Sequence, residues 1–216
     1  MPLHLDCADE LLTTTRAVRK RLDLTRPVPR EVILDCVRIA QQAPTGSNRQ
    51  TWRWVVVYDA AKRQALADLY HRAITDYVSV AQASGVTAPI DEDQAARISL
   101  STSHLAAHLH EVPVLVVPCL LGRLPERPAP NHVGAFYASI YPAVWSFNLA
   151  LRARGLGTVL TTVILAKEQE LSQLLGIPAD VTPTALLPVA YTIGDSFRPA
   201  ARPPAETITF FDGWQG

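Results

Sequence analysis

Nineteen consecutive residues, Val133 to Leu151, carry no charge, and this run limits the possible folds more than any other stretch. Its length approaches the minimum for a membrane span. Ser139, Pro142, Ser146 and Asn148 interrupt it, several of its aromatic residues are amphipathic, and it stands alone in the chain. A helix buried on most sides, in a core or against a second subunit, accounts for it better. The spacing predicts one long helix over about Gly134 to Arg154, kinked at Pro142 and closed by Gly155.

Around that helix the chain has room for one large domain with a real core, since it is 216 residues long. Lys plus Arg and Asp plus Glu both number 20, so the formal charge is zero and the basic footprint of a nucleic-acid binder is missing. A neutral chain offers little repulsion against self-association, which suits an oligomer. Cys7, Cys36 and Cys119 are too widely spaced for a disulfide framework or a zinc knuckle. They read as thiols of a reducing, cytoplasmic setting, and no secretory signal is visible at Met1 to Asp6.

In chain order, a short helix over about Glu10 to Arg21 carries Arg16, Arg19, Lys20 and Arg21. Pro29 opens a second helix, which Pro44 ends. Trp52 to Tyr58 is strand-like, and Asp59 caps a helix over Ala60 to Gln82. Gly85 to Asp93 reads as a loop, Gln94 to His110 as a helix, Val112 to Leu121 as a buried strand, and Leu124 to Asn131 as a proline-bearing loop. After the long helix come a strand-like Thr158 to Leu165, a short helix at Ala166 to Leu175, a strand over Pro183 to Ile193, and a tail from Ser196 to Gly216. The tail's Ile208, Phe210 and Phe211 need a surface to bury against. The sum is one α+β domain over residues 1–216.

Four clusters bear on chemistry. Arg16 and Arg19, one helical turn apart if helical, either grip one anion with forked donors or form a solvated basic face. Ala43 to Trp54 joins helix to strand. Pro44 and Gly46 free its backbone, and Thr45, Ser47, Asn48 and Gln50 offer uncharged donors and acceptors. It reads as a plain polar turn or as a site for a neutral, planar, hydrogen-bonding ligand. Gly155-Leu156-Gly157-Thr158 either stops a helix or brings backbone close to a ligand, and it lacks the third glycine of the dinucleotide fingerprint. Arg198 to Arg202 is a surface loop or an arginine pair closing on the anion of Arg16. His104 and His108 share a helix face without the glutamate or third ligand of a zinc site, so no metal site is expected. Neither a nucleophile signature nor a carboxylate pair stands out, and no catalytic side chain is assigned.

Taken together and in order, these clusters resemble the nitroreductase family of flavin enzymes. The resemblance rests on Arg16-Ala17-Val18-Arg19, on Ala43-Pro44-Thr45-Gly46-Ser47-Asn48-Arg49-Gln50-Thr51-Trp52, on Gly155-Leu156-Gly157-Thr158 and on Arg202-Pro203. It implies a three-layer α-β-α sandwich around a mostly antiparallel sheet, built as an intertwined homodimer with FMN at the subunit interface. The uncharged helix and the tail from about residue 196 would then bury against the partner. Carried over residue by residue, Arg16, Ala17, Val18 and Arg19 would line the FMN phosphate and ribityl chain, and Arg202 would close over the phosphate. Pro44, Thr45, Gly46, Ser47 and Asn48 would contact the isoalloxazine ring, from the partner chain in many members, and Gln50 would belong to the same pocket. Leu160, Thr161 and Thr162 would bring backbone near the flavin N5 edge. Thr15, Ala17, Thr51 and Ala200 depart from the family pattern.

The implied activity is reduction of a small aromatic, quinone or nitro-type acceptor by NADH or NADPH, in a ping-pong cycle through FMN. His71 to Asp91 and Leu124 to His132 would set the acceptor. Flavin cleavage, dehalogenation of an aromatic ring, and non-catalytic flavin storage are the alternatives that the resemblance leaves.

Overall fold

The computed structural model describes residues 4–84 and 92–214. Seven α-helices and five strands are assigned among them. In order, they are α1 (Leu5–Thr14), α2 (Arg30–Ala40), β1 (Trp52–Val57), α3 (Ala60–Ser84), α4 (Glu92–His108), β2 (Val114–Leu121) and α5 (Pro130–Ala138). Then come α6 (Tyr141–Arg152), β3 (Leu156–Thr158), α7 (Glu168–Leu175), β4 (Val181–Pro183) and β5 (Leu187–Tyr191). Of the loop expected at Gly85 to Asp93, residues 85–91 lie outside the described residues, and Glu92 and Asp93 already belong to α4.

The sheet runs β1-β2-β5-β3, with β4 also paired to β2, and every pairing between these strands is antiparallel. Strand β2 is its axis. Its side chains alternate between faces, as the period of two requires. Leu115, Val117 and Cys119 pack with Leu66, Leu69 and Tyr70 of α3, Leu105 of α4 and Leu171 of α7. Val114, Val116 and Leu120 pack with Ile33 and Cys36 of α2 and with Val144, Phe147 and Leu151 of α6. Two apolar clusters on opposite faces of one sheet make the three-layer α-β-α arrangement.

Pro118 sits inside β2 without cost to the ladder. The second partner of β2 changes there, from β5 at Val114–Val116 to β4 at Cys119–Leu121. The Pro118 carbonyl accepts from both the backbone N–H and the hydroxyl of buried Thr184.

Several boundaries differ from those expected. The first helix stops at Thr14 instead of Arg21. Thr13, Thr14 and Thr15 each turn a hydroxyl back to the carbonyl four residues earlier, at 2.6 Å, a contact that competes with helix continuation. The next residues are then captured by β3: Val18 N–H donates to the Thr158 carbonyl at 2.9 Å and Ala17 bridges Thr158 in parallel. Arg16 and Arg19 therefore flank an extended, strand-like segment and not a helical turn.

Helix α2 ends at Ala40, four residues before Pro44. The long uncharged helix is two helices, and the break falls at Ser139–Ile140, ahead of Pro142, which occupies the first turn of α6. The Ser139 carbonyl accepts from the Trp52 indole N–H and its hydroxyl from Gly46 N–H, so the break anchors the polar loop. Thr158 to Leu165 is only briefly a strand. Thr161 and Leu186 exchange backbone hydrogen bonds, and a 3-10 turn follows at Val163–Lys167. The expected strand over Pro183 to Ile193 is divided between β4 and β5. Asp59 does cap α3, its carboxylate accepting from Lys62 N–H at 2.8 Å. No helix among the described residues is long and apolar enough to cross a membrane.

Candidate functional site

The segment laid against β3 is the floor of the site. Its approach depends on Gly157. A Cβ there would lie 2.9 Å from Val18 Cβ and 2.8 Å from Thr192 Cγ2, closer than any real Cβ contact. The absent side chain lets Val18 sink to 6% exposure with Arg16 and Arg19 on either side of it.

Three cavities meet around Arg19. The largest, about 800 Å³, lies between α3 and α4 and is lined by Tyr70, Ile74, Ile98 and Thr102 on one side and Leu160, Thr161, Thr162 and Val163 on the other. A second, about 240 Å³, runs between Thr15–Arg19, the Gly157–Leu160 backbone and the α6 side chains Trp145, Asn148 and Arg152. The third, about 450 Å³, is bounded by Arg16, Lys20, Arg21, Ser101 and the 196–198 segment. The fold thus brings the arginine cluster and Leu160–Thr162 together, although about 140 residues separate them.

The electrostatics of this region are one-sided. Arg16, Arg19, Lys20, Arg21, Arg152 and Arg198 take part in none of the ion pairs among the described residues. Arg16 donates to the Arg198 carbonyl at 2.9 Å, and Arg21 donates to the carbonyls of Ile193 and Ser196. Two guanidiniums lie over the Phe197 ring, Arg21 at 4.1 Å and Arg152 at 4.7 Å from its centroid. Asn148 Oδ1, Thr158 Oγ1 and Arg152 Nε are buried without a hydrogen-bond partner among the described residues, and all three residues line the smallest of these cavities. Unpaired cations beside unsatisfied polar atoms suit an anionic, hydroxyl-bearing ligand. Burial raises the Tyr70 phenol above its ordinary pKa, against a hydrogen bond with the Thr161 side chain and the charge of Arg19, which lower it.

The other two groups of expected residues are elsewhere in the chain. Arg202 is exposed and donates to the neighbouring Ala201 carbonyl, and it lines none of the three cavities. The loop Pro44–Gln50 is anchored on Ser139 at the end of α5 and also lines none of them. Its backbone is unusual: Ser47, Asn48 and Gln50 have φ of 53°, 51° and 50°. Left-handed conformations at non-glycine residues cluster where a loop holds a ligand. Gln50 closes the turn, its N–H on Thr45 Oγ1 and its amide on Asn48 Oδ1.

Asn148, Arg152 and Tyr70 were not among the residues expected to form a site. A signal was available for the first two: Asn148 within the uncharged run and Arg152 just beyond its end stand four residues apart, on one face of an otherwise largely apolar helix. The His104 and His108 rings lie 4.5 Å apart, tilted by 41°, and His108 bonds Glu111. No group of three or more possible metal ligands is found among the described residues.

Known proteins resemble this chain in sequence and in architecture. The chain is 29% identical over 177 residues to an iodotyrosine deiodinase of Danio rerio, covering 80% of this chain and 56% of that protein. It is 26% identical over 187 residues to the Drosophila melanogaster iodotyrosine deiodinase, covering 84% and 61%. The chain therefore spans little more than half the length of the curated relatives it matches. A BluB-like flavoprotein from Clostridium difficile 630 superposes with a TM-score of 0.71 at 19% identity, over 98% of this chain and 100% of that one. Oxidized iodotyrosine deiodinase bound to FMN and 3-iodo-L-tyrosine superposes with a TM-score of 0.72 at 21% identity, over 95% and 99%. These structures share the fold. The model of the Nitroreductase family matches residues 12–191, most of the sequence, and the chain belongs to that family.

Proposed function

We propose that this protein is an FMN-dependent oxidoreductase that takes electrons from NADH or NADPH and delivers them to a small aromatic, quinone or nitro-type acceptor. The observation that carries the reading is the meeting of Arg16–Arg19 with Leu160–Thr162 around adjoining cavities. Those cavities are rich in unpaired cations and hold three buried polar atoms without partners. A phosphate monoester on a hydroxylated chain supplies the acceptors and donors this set lacks, so the residues fit FMN. When bound, FMN supplies two-electron transfer between a nicotinamide and the acceptor.

The chain's own residues bind and orient. Arg16 and Arg19 hold the phosphate and ribityl chain, with Ala17 and Val18 as the backbone between them. Leu160 and Thr162 would present backbone groups to the flavin ring, and Thr161, whose N–H and carbonyl are both bonded to Leu186, would hold the segment in place between them. The 800 Å³ space above them, lined by Tyr70, Ile74 and Ile98, receives the nicotinamide and then the acceptor. No side chain is assigned a proton-transfer role.

Pro44, Thr45, Gly46, Ser47, Asn48 and Gln50 complete the ring pocket from a second subunit, which gives a reason for their absence from the cavities of one chain. We take residues 1–216 as one domain whose tail, 196–216, crosses the partner and carries Arg202 to the phosphate. Within one chain Phe211 and Trp214 are 80% and 84% exposed, and a homodimer would cover them. The exposed Cys7 and the buried Cys36 and Cys119 are all free thiols, as a reducing cytoplasm allows.

Reductive dehalogenation of an aromatic ring is the second reading, and the similarity to two iodotyrosine deiodinases favours it. The deciding experiment is the visible spectrum of the purified protein, repeated after anaerobic NADH or NADPH and then after a nitroaromatic, a quinone or an iodophenol. A flavin spectrum that bleaches and recovers with an acceptor is expected. No flavin bound even after excess FMN sinks the proposal, and release of iodide with the iodophenol alone selects the second reading.

A further inference from the structure

Arg152 has no role in the reading above, yet its surroundings are those of a binding group. It ends α6 and lines the 240 Å³ cavity beside Arg16, Asn148 and Thr158. Its Nε is buried without a partner. Among the described residues its Nη2 reaches Thr14 Oγ1 at 3.4 Å and the Asp195 carbonyl at 3.5 Å, both beyond the usual range of about 2.7–3.2 Å. No carboxylate pairs with it among the described residues. The guanidinium carbon lies over the Phe197 ring, 4.7 Å from its centroid, a cation–π contact that leaves N–H donors for an acceptor.

A second observation points the same way. Asn148 and Thr158 are each only 6% exposed, and Asn148 Oδ1 and Thr158 Oγ1 have no partner. Leaving buried polar groups unmet is costly, and a ligand that brings both an oxyanion and hydroxyl donors removes the cost at all three. We propose that Arg152 is a cofactor-binding residue that grips the phosphate of the flavin side chain, while Asn148 and Thr158 take hydrogen bonds from its hydroxyls. The inference rests on the flavin reading. It supplies from α6 a cation that Arg202 does not bring to this cavity within one chain.

The test compares FMN with riboflavin, which has the same ring and ribityl chain but no phosphate. Dissociation constants for both are measured by fluorescence titration of flavin-free wild type, Arg152→Gln and Arg152→Lys. The wild type is expected to prefer FMN. The glutamine variant is expected to lose that preference by on the order of tenfold, with riboflavin binding unchanged. Should the glutamine variant fail to fold, the lysine variant keeps the charge without the fork, and a smaller, few-fold loss is expected there. An unchanged FMN-to-riboflavin ratio in a folded variant overturns the assignment, as does equal weakening of both flavins, the mark of a merely structural role. A wild type that binds both flavins equally well also overturns it while leaving the flavin reading intact. Binding of neither flavin sinks that reading, and this inference with it.

Discussion

Gly157→Ala tests how the floor of the site is built. The added methyl would sit 2.8 Å from Thr192 Cγ2, 2.9 Å from Val18 Cβ and 3.0 Å from Val18 Cγ2, against a comfortable carbon–carbon separation of about 3.5–4.0 Å. Neither neighbour can retreat easily. Val18 is held by its N–H on the Thr158 carbonyl, and Thr192 by its N–H and hydroxyl on the Gly155 carbonyl. Gly157 itself is fixed opposite Ala190 in the β3–β5 register. Overpacking of this kind costs about 1–3 kcal/mol. At roughly 2–4 °C per kcal/mol for a chain of this size, the melting temperature should fall by about 2–12 °C. Relief of the clash moves Val18 away from β3 and takes Arg16 and Arg19 with it, so FMN affinity should fall as well. Gly134→Ala is the control, because its methyl meets nothing within 4 Å and it lies inside α5, where alanine is the better helix former. Calorimetric melts and flavin titrations of both variants decide the matter. A Gly157→Ala protein that melts with the wild type and binds flavin as tightly would refute the close-approach argument.

Two further outcomes follow from burial. Cys36 and Cys119 are fully buried, and desolvation pushes their thiols up to about 11 and about 12 from an ordinary 9.0. At pH 8 a thiol reagent should therefore modify Cys7 alone in the folded protein and all three only in denaturant; a second fast thiol without denaturant contradicts this. The same shifts set a sign for pH dependence. Raised acids favour the protonated native form, so their contribution to stability is intact below about pH 9 and is lost as pH climbs toward 11–12, which alkaline melts would register. Removing residues 196–216 should turn the proposed homodimer into monomers and lower FMN affinity, measured by light scattering and titration; a truncated chain that remains a flavin-loaded dimer removes the tail from the interface.

Much of the fold was legible because burial and periodicity agree locally. The β-branched and aromatic run Trp52–Val57, the apolar run Val114–Leu121 and the proline-led helix from Arg30 are strand, strand and helix in any context that offers a core. Asp59 caps α3 through a contact three residues long, which sequence can specify. The residues of Arg16–Arg19 and Leu160–Thr162 were legible as clusters too. Their conformations were not, because in both segments a distant stretch of backbone takes the hydrogen bonds that a local helix or strand would have used. Thr158 takes Val18, and Leu186 takes Thr161.

The sequence alone therefore determined which residues could form a core, where most helices and strands begin, and the ordered set of motifs by which the family was recognised. Each of these follows from side-chain chemistry at spacings of a few residues. Only the tertiary structure decided that the arginines flank an extended segment, that the uncharged run breaks at Ser139 to hold the polar loop, and that Arg152 and Asn148 face Arg16 across one cavity. Those arrangements depend on contacts between residues that are far apart in the chain, such as the Val18 methyl group against Gly157, and no local pattern encodes the distance between them.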